Sequence, residues 1–443
     1  MIGDNLTRTV WKLSLPIIVV EAMETFDHLI DSLFLALVGV TELGAIAVAD
    51  SLMLLFLILP LAVVDSLQIL TARRVGERQL EGVGVIFNQG LLLVILLGIA
   101  ATAGLKMFSP IVANYGVEVE AVGVAVNSYL QIDAYSIPLV GISFAYSALL
   151  TSLGKTRVLI PAAIIFMVTD VLLNYMFIFG NFGCPALGMR GAAVGSIGTE
   201  LIAVIFLTHY IWRTLASRDY GLFRFTWLER ETVGKLGRLY LPIAGLGVLE
   251  TVRWFVFFLI IERVGTSALA VANIVFTCYL VFWIPVEGFG EVACSLVSRF
   301  VGRDRPQRIY QILRRTTGGA LLAAMPLILL SLVGPQWVVR PFALEAALAE
   351  QASSSLRVVA FALLIAIPGY MWFTAVLSTG DTVVALIIEL ILTVLMIGLT
   401  YLAAIQLEWS ITMIWLVLPL MWLGFLILSY SWMKSGLWKR LEA

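Results

Sequence analysis

The chain has 443 residues, of which 61% are hydrophobic and only 13% are charged. Its mean hydropathy is +1.01. A soluble domain of this size would need many more charges on its surface, so the composition excludes that class and indicates an integral membrane protein. The net charge of -1 gives no indication of a nucleic-acid partner.

Apolar stretches long enough to cross a bilayer recur along the whole chain, and we count twelve. Because backbone groups in lipid must be satisfied within their own segment, we expect these stretches to be helices. The fold class is therefore predicted to be an all-α integral membrane protein with twelve transmembrane helices. The predicted cores are residues 12–36, 46–72, 85–108, 124–150, 158–180, 191–212, 238–262, 269–297, 316–335, 355–378, 383–405 and 410–433.

Basic residues are distributed unevenly between the loops on the two predicted sides of the membrane. Of the 28 Lys and Arg residues, 22 lie on the side of the termini and 5 on the other, while Arg253 lies inside a helix. Cytoplasmic loops carry the excess of Lys and Arg. The pattern predicts a protein of the plasma (inner) membrane with both termini in the cytoplasm.

The second half of the chain repeats the first at a constant offset, which aligns Pro16 with Pro242 and which we call the repeat offset. This duplication predicts two pseudo-symmetric six-helix bundles, residues 1–212 and 238–443, with the same orientation in the membrane. Residues 213–237 would form a cytoplasmic linker that lets the bundles rock, and a cavity is expected between them. Further pairs matched at the repeat offset are Glu24 with Glu250, Gly39 with Gly265, Asp65 with Glu291, and Gly154 with Gly380.

The first predicted span carries an unusual concentration of ionisable residues. Five of the eleven positions from 21 to 31 are ionisable, namely Glu21, Glu24, Asp27, His28 and Asp31. At helical spacing they fall within an arc of about 120° on one face. An ionised carboxylate at the bilayer centre costs about 2.5 to 3.5 kcal/mol, so this face must meet water, protein or bound cations. It is the first candidate for a functional surface.

Several motifs occur in a fixed order and in two copies. The first half contains LSLPIIVVEAMETFDHLIDSLFLALVG, TARRVGERQ and LLTSLGKTRVLIP, and the second contains LYLPIAGLGVLETVRWF, SRFVGRDRPQ and VLSTGDTVVAL. In this order and spacing the chain resembles the multidrug and toxic compound extrusion (MATE) family. The resemblance implies a secondary antiporter, not an enzyme, that exports cationic, often aromatic compounds in exchange for H+ or Na+.

The resemblance also implies roles for single residues. Asp31 matches the first-helix aspartate that couples a cation or a proton. Asp170 and Asn174 match an Asn and Asp pair on the fifth helix, with the two residue types exchanged. Ser196 falls near a Thr or Ser of the sixth helix that completes the cluster, and Glu250 matches the seventh-helix glutamate of the NorM-like branch.

One family position is missing from the second half. The tenth-helix aspartate of the NorM-like branch has no counterpart, because residues 361–368 read FALLIAIP without an acid. This difference argues against a sodium site of the usual composition in that half.

The chemistry of the first-half cluster fits two coupling ions. Asp31, Asp170 and Asn174 offer oxygen ligands for Na+, while neighbouring buried carboxylates also suit proton binding. Glu24 and His28 are included because His28 stands one turn from both Glu24 and Asp31, and a histidine can titrate near neutral pH. The alternative is a hydrogen-bonded polar core with no part in coupling.

A second group of residues is predicted to contact a cationic substrate, since opposite charge must replace the water that a cation loses. For Glu250 the alternative is an internal ion pair with Arg253, one turn later. For Asp65 and Glu291 the alternatives are a cytoplasmic gate or a structural salt bridge. The group comprises Glu24, Asp27, Glu250, Arg253, Asp65, Glu291 and Asp133.

Two other functions are alternatives to the exporter. A flippase for lipid-linked saccharides would favour basic cavity residues, whereas acids far outnumber the single Arg within the spans. A membrane-embedded enzyme would need a metal or nucleophile constellation, which the sequence does not offer. We therefore expect a monomer with no cofactor beyond the coupling ion, and with a small cationic substrate and membrane lipids as its partners.

Overall fold

A computed structural model of the chain describes residues 6–216, 220–224, 228–342 and 345–440. The twelve long helices found in these ranges follow the order of the predicted spans. They are α1 (Leu6–Val38), α2 (Val40–Glu77), α3 (Leu80–Tyr115), α4 (Glu120–Leu153), α5 (Thr156–Phe179), α6 (Met189–Leu215), α7 (Arg230–Val264), α8 (Thr266–Val301), α9 (Gln307–Val333), α10 (Ala346–Ser378), α11 (Thr382–Gln406) and α12 (Ile411–Ser435).

Eleven of these helices, α2 to α12, are both long and apolar enough to cross a membrane. The exception is α1, which has 33 residues and is therefore long enough. Its charged residues are spaced too closely to leave an apolar window of sufficient length. The predicted all-α membrane architecture is confirmed, and α1 differs from the other helices through its acids.

The chain folds into two compact units. One unit is Val19–Ala244, and the other combines Met1–Ile18 with Gly245–Ala443. The two changes of unit lie inside α1 and α7, and they occur at equivalent points of the repeat because the repeat offset aligns Val19 with Gly245. Pro16 and Pro242 stand shortly before these points, inside their helices. Because proline removes a backbone donor, each helix is weakened close to the point where its unit changes.

A proline also bends α4 beside a predicted site residue. Pro138 cannot donate to the carbonyl of Ala134, and the helix tightens into a 3-10 turn at Ala134–Ser136. The hydroxyl of Thr102 on α3 donates to that carbonyl instead, at 2.7 Å. The bend is therefore compensated, and it begins directly after Asp133.

Part of the predicted linker is fixed to α3. The Asn88 side-chain amide donates to the carbonyls of Gly221 and Arg224, each at 3.0 Å. In return, the backbone N–H of Phe223 donates to Asn88 Oδ1 at 2.9 Å. These hydrogen bonds attach residues 221–224 of the predicted linker 213–237 to the Val19–Ala244 unit, of which they are part.

Candidate functional site

Three carboxylates converge within the Val19–Ala244 unit. Asp27 and Asp31 stand one turn apart on α1, and Asp170 stands on α5. Each offers a carboxylate oxygen that lies within 4.8 Å of the other two. Asn174, one turn after Asp170, joins the two helices because its amide nitrogen donates to Asp31 Oδ1 at 2.7 Å and to Asp170 Oδ2 at 2.6 Å. We call Asp27, Asp31, Asp170 and Asn174 the acid cluster.

Burial makes the charge of the acid cluster hard to tolerate. Asp27 is 7% exposed, Asp170 is 2% exposed and Asn174 is fully buried. Two like charges about 4 Å apart repel by about 4 kcal/mol at an effective dielectric constant near 20. The amide of Asn174 donates two hydrogen bonds but brings no positive charge. No ion pair to these three carboxylates is found among the described residues, so a bound proton or cation would reduce their repulsion.

The oxygens of the acid cluster also suit a cation. Asn174 Oδ1 and Asp27 Oδ1 are buried and have no hydrogen-bond partner among the described residues. Carboxylate and amide oxygens are the ligands that hard cations prefer. The donor set therefore fits Na+, and the carboxylates can equally hold a proton.

Helix α6 completes one side of the acid cluster. Thr199 donates its hydroxyl to Asp170 Oδ1 at 3.3 Å. Gly195 lies against Asn174, and a Cβ at this position would overlap Asn174 Oδ1. The hydroxyl of Ser196 donates to the carbonyl of Ala192 at 3.1 Å. The α6 hydroxyl that bonds to the acid cluster is therefore that of Thr199 and not that of Ser196. Either residue agrees with the expectation of a Ser or Thr on the sixth helix.

Further acids of the same unit surround the acid cluster. Glu200 on α6 accepts a hydrogen bond from Ser143 at 2.9 Å and acts electrostatically on Asp27. Asp50 on α2 acts in the same way on Asp31. Neither Glu200 nor Asp50 is predicted from the sequence as a site residue, because the spacing along one helix does not show that acids of α1, α2, α5 and α6 come close to one another.

Three other predicted residues of this unit are Glu24, His28 and Asp133. Glu24 is partly buried on α1, and His28 is exposed but within electrostatic reach of Asp170. Asp133 is 5% exposed and lies beside Tyr129. Glu24 acts electrostatically on Asp27, and none of these three residues shares a hydrogen bond with the acid cluster in the contacts described.

The second unit holds a buried ion pair. Arg253 on α7 donates to Glu389 on α11, and the two residues are 4% and 5% exposed. Glu250 lies 3.7 Å from the guanidinium, but its side chain is 64% exposed. The predicted contact between Glu250 and Arg253 is thus present, while the main partner is Glu389. The only signal for Glu389 in the sequence was a single acid on an otherwise apolar helix.

Asp65 and Glu291 belong to different units. Asp65 is exposed on α2, whereas Glu291 is partly buried on α8. Glu287, one turn before Glu291, accepts a hydrogen bond from the Tyr370 hydroxyl at 3.0 Å. Glu287 and Glu291 act on each other electrostatically within their unit.

A family model described as MatE matches the chain twice, at residues 16–176 and 242–402. The chain belongs to the MatE family. The two matches start at positions 16 and 242, which the repeat offset also aligns. The predicted resemblance to MATE transporters is confirmed, and this family is one of transporters rather than enzymes.

Curated relatives of this MATE chain carry names that refer to drug resistance. The probable multidrug resistance protein NorM of Rhizobium meliloti strain 1021 is 27% identical over 290 residues, which is 64% of this chain and 62% of the relative. The protein of the same name from Agrobacterium fabrum strain C58 is 28% identical over 247 residues, or 52% and 51% of the two chains. The MATE chain thus spans less than two thirds of the length of these relatives.

Solved structures agree over nearly the whole chain. A crystal structure of MATE in complex with MaL6 has a TM-score of 0.89 to this chain at 17% identity, and covers 98% of this chain and 96% of that one. At this identity the likeness establishes the fold. The predicted architecture is therefore confirmed as the MATE fold.

Proposed function

We propose that this MATE chain is a secondary antiporter that exports cationic, often aromatic compounds in exchange for H+ or Na+ bound at the acid cluster. Membership of the MatE family supports transport, and the names of the relatives support drugs as substrates. The single observation that carries the proposal is the meeting of three carboxylates around Asn174. A proton or cation bound there would reduce the repulsion between the carboxylates, and such an ion can be released again because it is not part of the chain.

Exchange of this ion can drive export only if the ion binds two conformations of the protein with different affinity. One charge that moves down a potential of about 100 mV supplies about 2.3 kcal/mol. Since each factor of ten in concentration corresponds to about 1.4 kcal/mol, one charge supports less than two decades of substrate gradient. A single site such as the acid cluster is therefore sufficient for useful export.

Other acids are proposed as contacts for the substrate. Glu24 acts electrostatically on Asp27 of the acid cluster, Asp133 is buried beside Tyr129 in the same unit, and Glu250 is exposed in the second unit. Each can replace part of the hydration of a cation, which an apolar wall cannot do. Asp65 and Glu291 stay weaker candidates, since a gate or a structural role explains them equally well.

The orientation belongs to the same proposal. The excess of Lys and Arg on one side supports an inner-membrane protein with both termini in the cytoplasm. Single cysteines introduced at Lys439 and at Glu118, with the native cysteines replaced, would be labelled in intact cells with a reagent that does not cross the membrane. We expect labelling at position 118 only, and labelling at position 439 in intact cells would contradict the orientation.

The decisive experiment is uptake of a cationic dye by liposomes that hold the purified protein, with a pH gradient and a sodium gradient imposed separately. The gradient that drives uptake identifies the coupling ion. We expect Asp31→Asn to fold but to lose the driven uptake, because one exchangeable charge is gone. Glu118→Gln is the matched control, since Glu118 is exposed between α3 and α4 and lines a surface pocket that includes no residue of the acid cluster. Normal uptake by a well-expressed Asp31→Asn protein would remove the acid cluster from the mechanism.

A further inference from the structure

The acid cluster and the buried ion pair join equivalent helices of the two repeats. The acid cluster connects α1 with α5, and Arg253 with Glu389 connects α7 with α11. At the repeat offset, Arg253 is the counterpart of Asp27. The second half therefore has a fixed positive charge at a position where the first half has a carboxylate of its cluster.

The contacts of Arg253 are those of an enclosed counter-ion. Its guanidinium bonds to Glu389, and Thr393 donates to the same carboxylate at 3.3 Å. Both members of the pair are buried. A guanidinium does not give up its proton in a protein. Unlike a bound sodium ion, it also cannot dissociate, because it is covalently part of the chain.

We propose that Arg253 is a built-in cation that keeps Glu389 permanently neutralised, so that α7 and α11 bind no exchangeable proton or sodium ion and coupling is confined to the acid cluster. The inference rests on the proposed function for the role of the acid cluster. The part that concerns Arg253 and Glu389 is independent of it, because stability can be measured without transport.

The charged residues near Glu389 determine its electrostatic environment once Arg253 is replaced. The charged residues that act on Glu389 are Arg253 and Glu250, both on α7. Tyr279 on α8 lies beside the same arginine. Helix α12 carries no charged residue before Lys434, and those of α10, Glu350 and Arg357, stand in its first four turns. Without Arg253, the remaining charged group that is found to act on Glu389 is Glu250, another acid.

The first test removes the built-in cation in a protein whose acid cluster is already disabled by Asp31→Asn. In this background, Arg253→Met leaves Glu389 buried without its partner. We expect the unfolding temperature of the purified protein to depend on pH and on sodium concentration. It should rise at low pH or on addition of sodium, because a proton or a sodium ion can then neutralise Glu389. The matched variants are Arg253→Lys, which keeps a positive charge, and Arg253→Met with Glu389→Gln, which removes both charges.

The proposal requires a definite pattern among these variants. The new dependence on pH or sodium must appear with Arg253→Met, be absent with Arg253→Lys, and disappear when Glu389→Gln is added. A purely structural role of Arg253 would lower the unfolding temperature by the same amount at every pH and sodium concentration. That result, or a dependence that survives Glu389→Gln, would overturn the proposal.

The second test serves if Arg253→Met alone does not fold. The double variant Arg253→Met with Glu389→Gln removes the ion pair without leaving a buried charge, and it is assayed for dye uptake with Asp31 intact. We expect the coupling-ion concentration at half-maximal uptake to stay as in the unchanged protein. A shift of about tenfold or more would show that the pair takes part in coupling and would refute the inference. Failure of Asp31→Asn to affect uptake would instead refute the proposed role of the acid cluster, while the neutralisation of Glu389 by Arg253 would still be decided by the first test.

Discussion

The acid cluster on α1 and α5 differs in polarity from the equivalent positions on α7 and α11, although the two pairs of helices correspond in the repeat. At the repeat offset, Asp31 of α1 corresponds to Phe257 of α7, and Asp170 of α5 corresponds to Met396 of α11. Phe257 and Met396 are 2% and 1% exposed. The same two helix positions are thus polar and charged in one unit and apolar in the other.

Aromatic packing replaces the hydrogen bonds in the second unit. The Phe257 ring lies 5.7 Å from that of Trp254, 5.5 Å from that of Phe258 and 5.1 Å from that of Trp415. Such rings are held by apolar burial and by edge-to-face contacts, which do not change with pH or salt. The two units thus share a helix framework, whereas among the described residues the group of three carboxylates is found in the Val19–Ala244 unit alone.

The largest loss of stability is expected when the buried ion pair between Glu389 and Arg253 is broken. Glu389→Ala leaves Arg253 buried without its carboxylate, and breaking such a pair costs about 3 to 5 kcal/mol. Thermal unfolding in detergent should show a marked loss of stability. The matched variant Asp31→Asn should lose little or gain, because it removes a like charge from the acid cluster. Equal losses from the two variants would contradict the distinction between the units.

A smaller effect is expected at the amide that bridges the acid cluster. Asn174→Ala removes two hydrogen bonds to carboxylates, which should lower the free energy of unfolding by about 1 to 3 kcal/mol. It should also abolish ion-driven dye uptake, because the carboxylates lose their spacing. The control is Thr400→Ala at the equivalent position, where the hydroxyl donates only to the carbonyl of Met396. Loss of uptake in both variants would show that both positions are needed for transport, which would contradict the distinction between the two units.

The close approach of α6 to the acid cluster can be tested by adding one methyl group. Gly195→Ala places a Cβ against Asn174 Oδ1, whose amide is held by two hydrogen bonds. Overpacking of this kind costs about 1 to 3 kcal/mol. Gly398→Ala on α11 is the control, since nothing lies within 4 Å of its added Cβ. Unfolding temperatures of the two variants should therefore differ, and a tolerated Gly195→Ala would mean that α6 can move aside.

The smallest effect is expected at the apolar counterpart of Asp170. Met396→Leu keeps volume and polarity, so the loss of stability should stay below about 1.5 kcal/mol. Dye uptake should be unchanged. Asp170→Asn, also nearly unchanged in shape, should in contrast lose the driven uptake. A Met396→Leu protein without uptake would assign a transport role to the second unit and break the comparison.

The sequence predicted the framework well because its signals are local. Long apolar stretches, the repeat and the acids on one face of α1 are each visible within a single helix or at a constant offset. Asp31, Asp170 and Asn174 were named together through the resemblance to MATE transporters, and the structure places them in contact. Thr199, Glu200 and Glu389 received no such role, since their partners come from other helices.

The residue pattern alone indicates that the chain crosses the membrane as helices, that it is duplicated, and that α1 carries acids which apolar lipid cannot accommodate. Which charged residues meet depends on how the helices pack. The tertiary structure brought Asp27, Asp31 and Asp170 together around Asn174, and it gave Arg253 to Glu389 rather than to Glu250 alone. The reason is physical: the cost of a buried charge depends on neighbours supplied by distant parts of the chain, and helical periodicity contains no information about them.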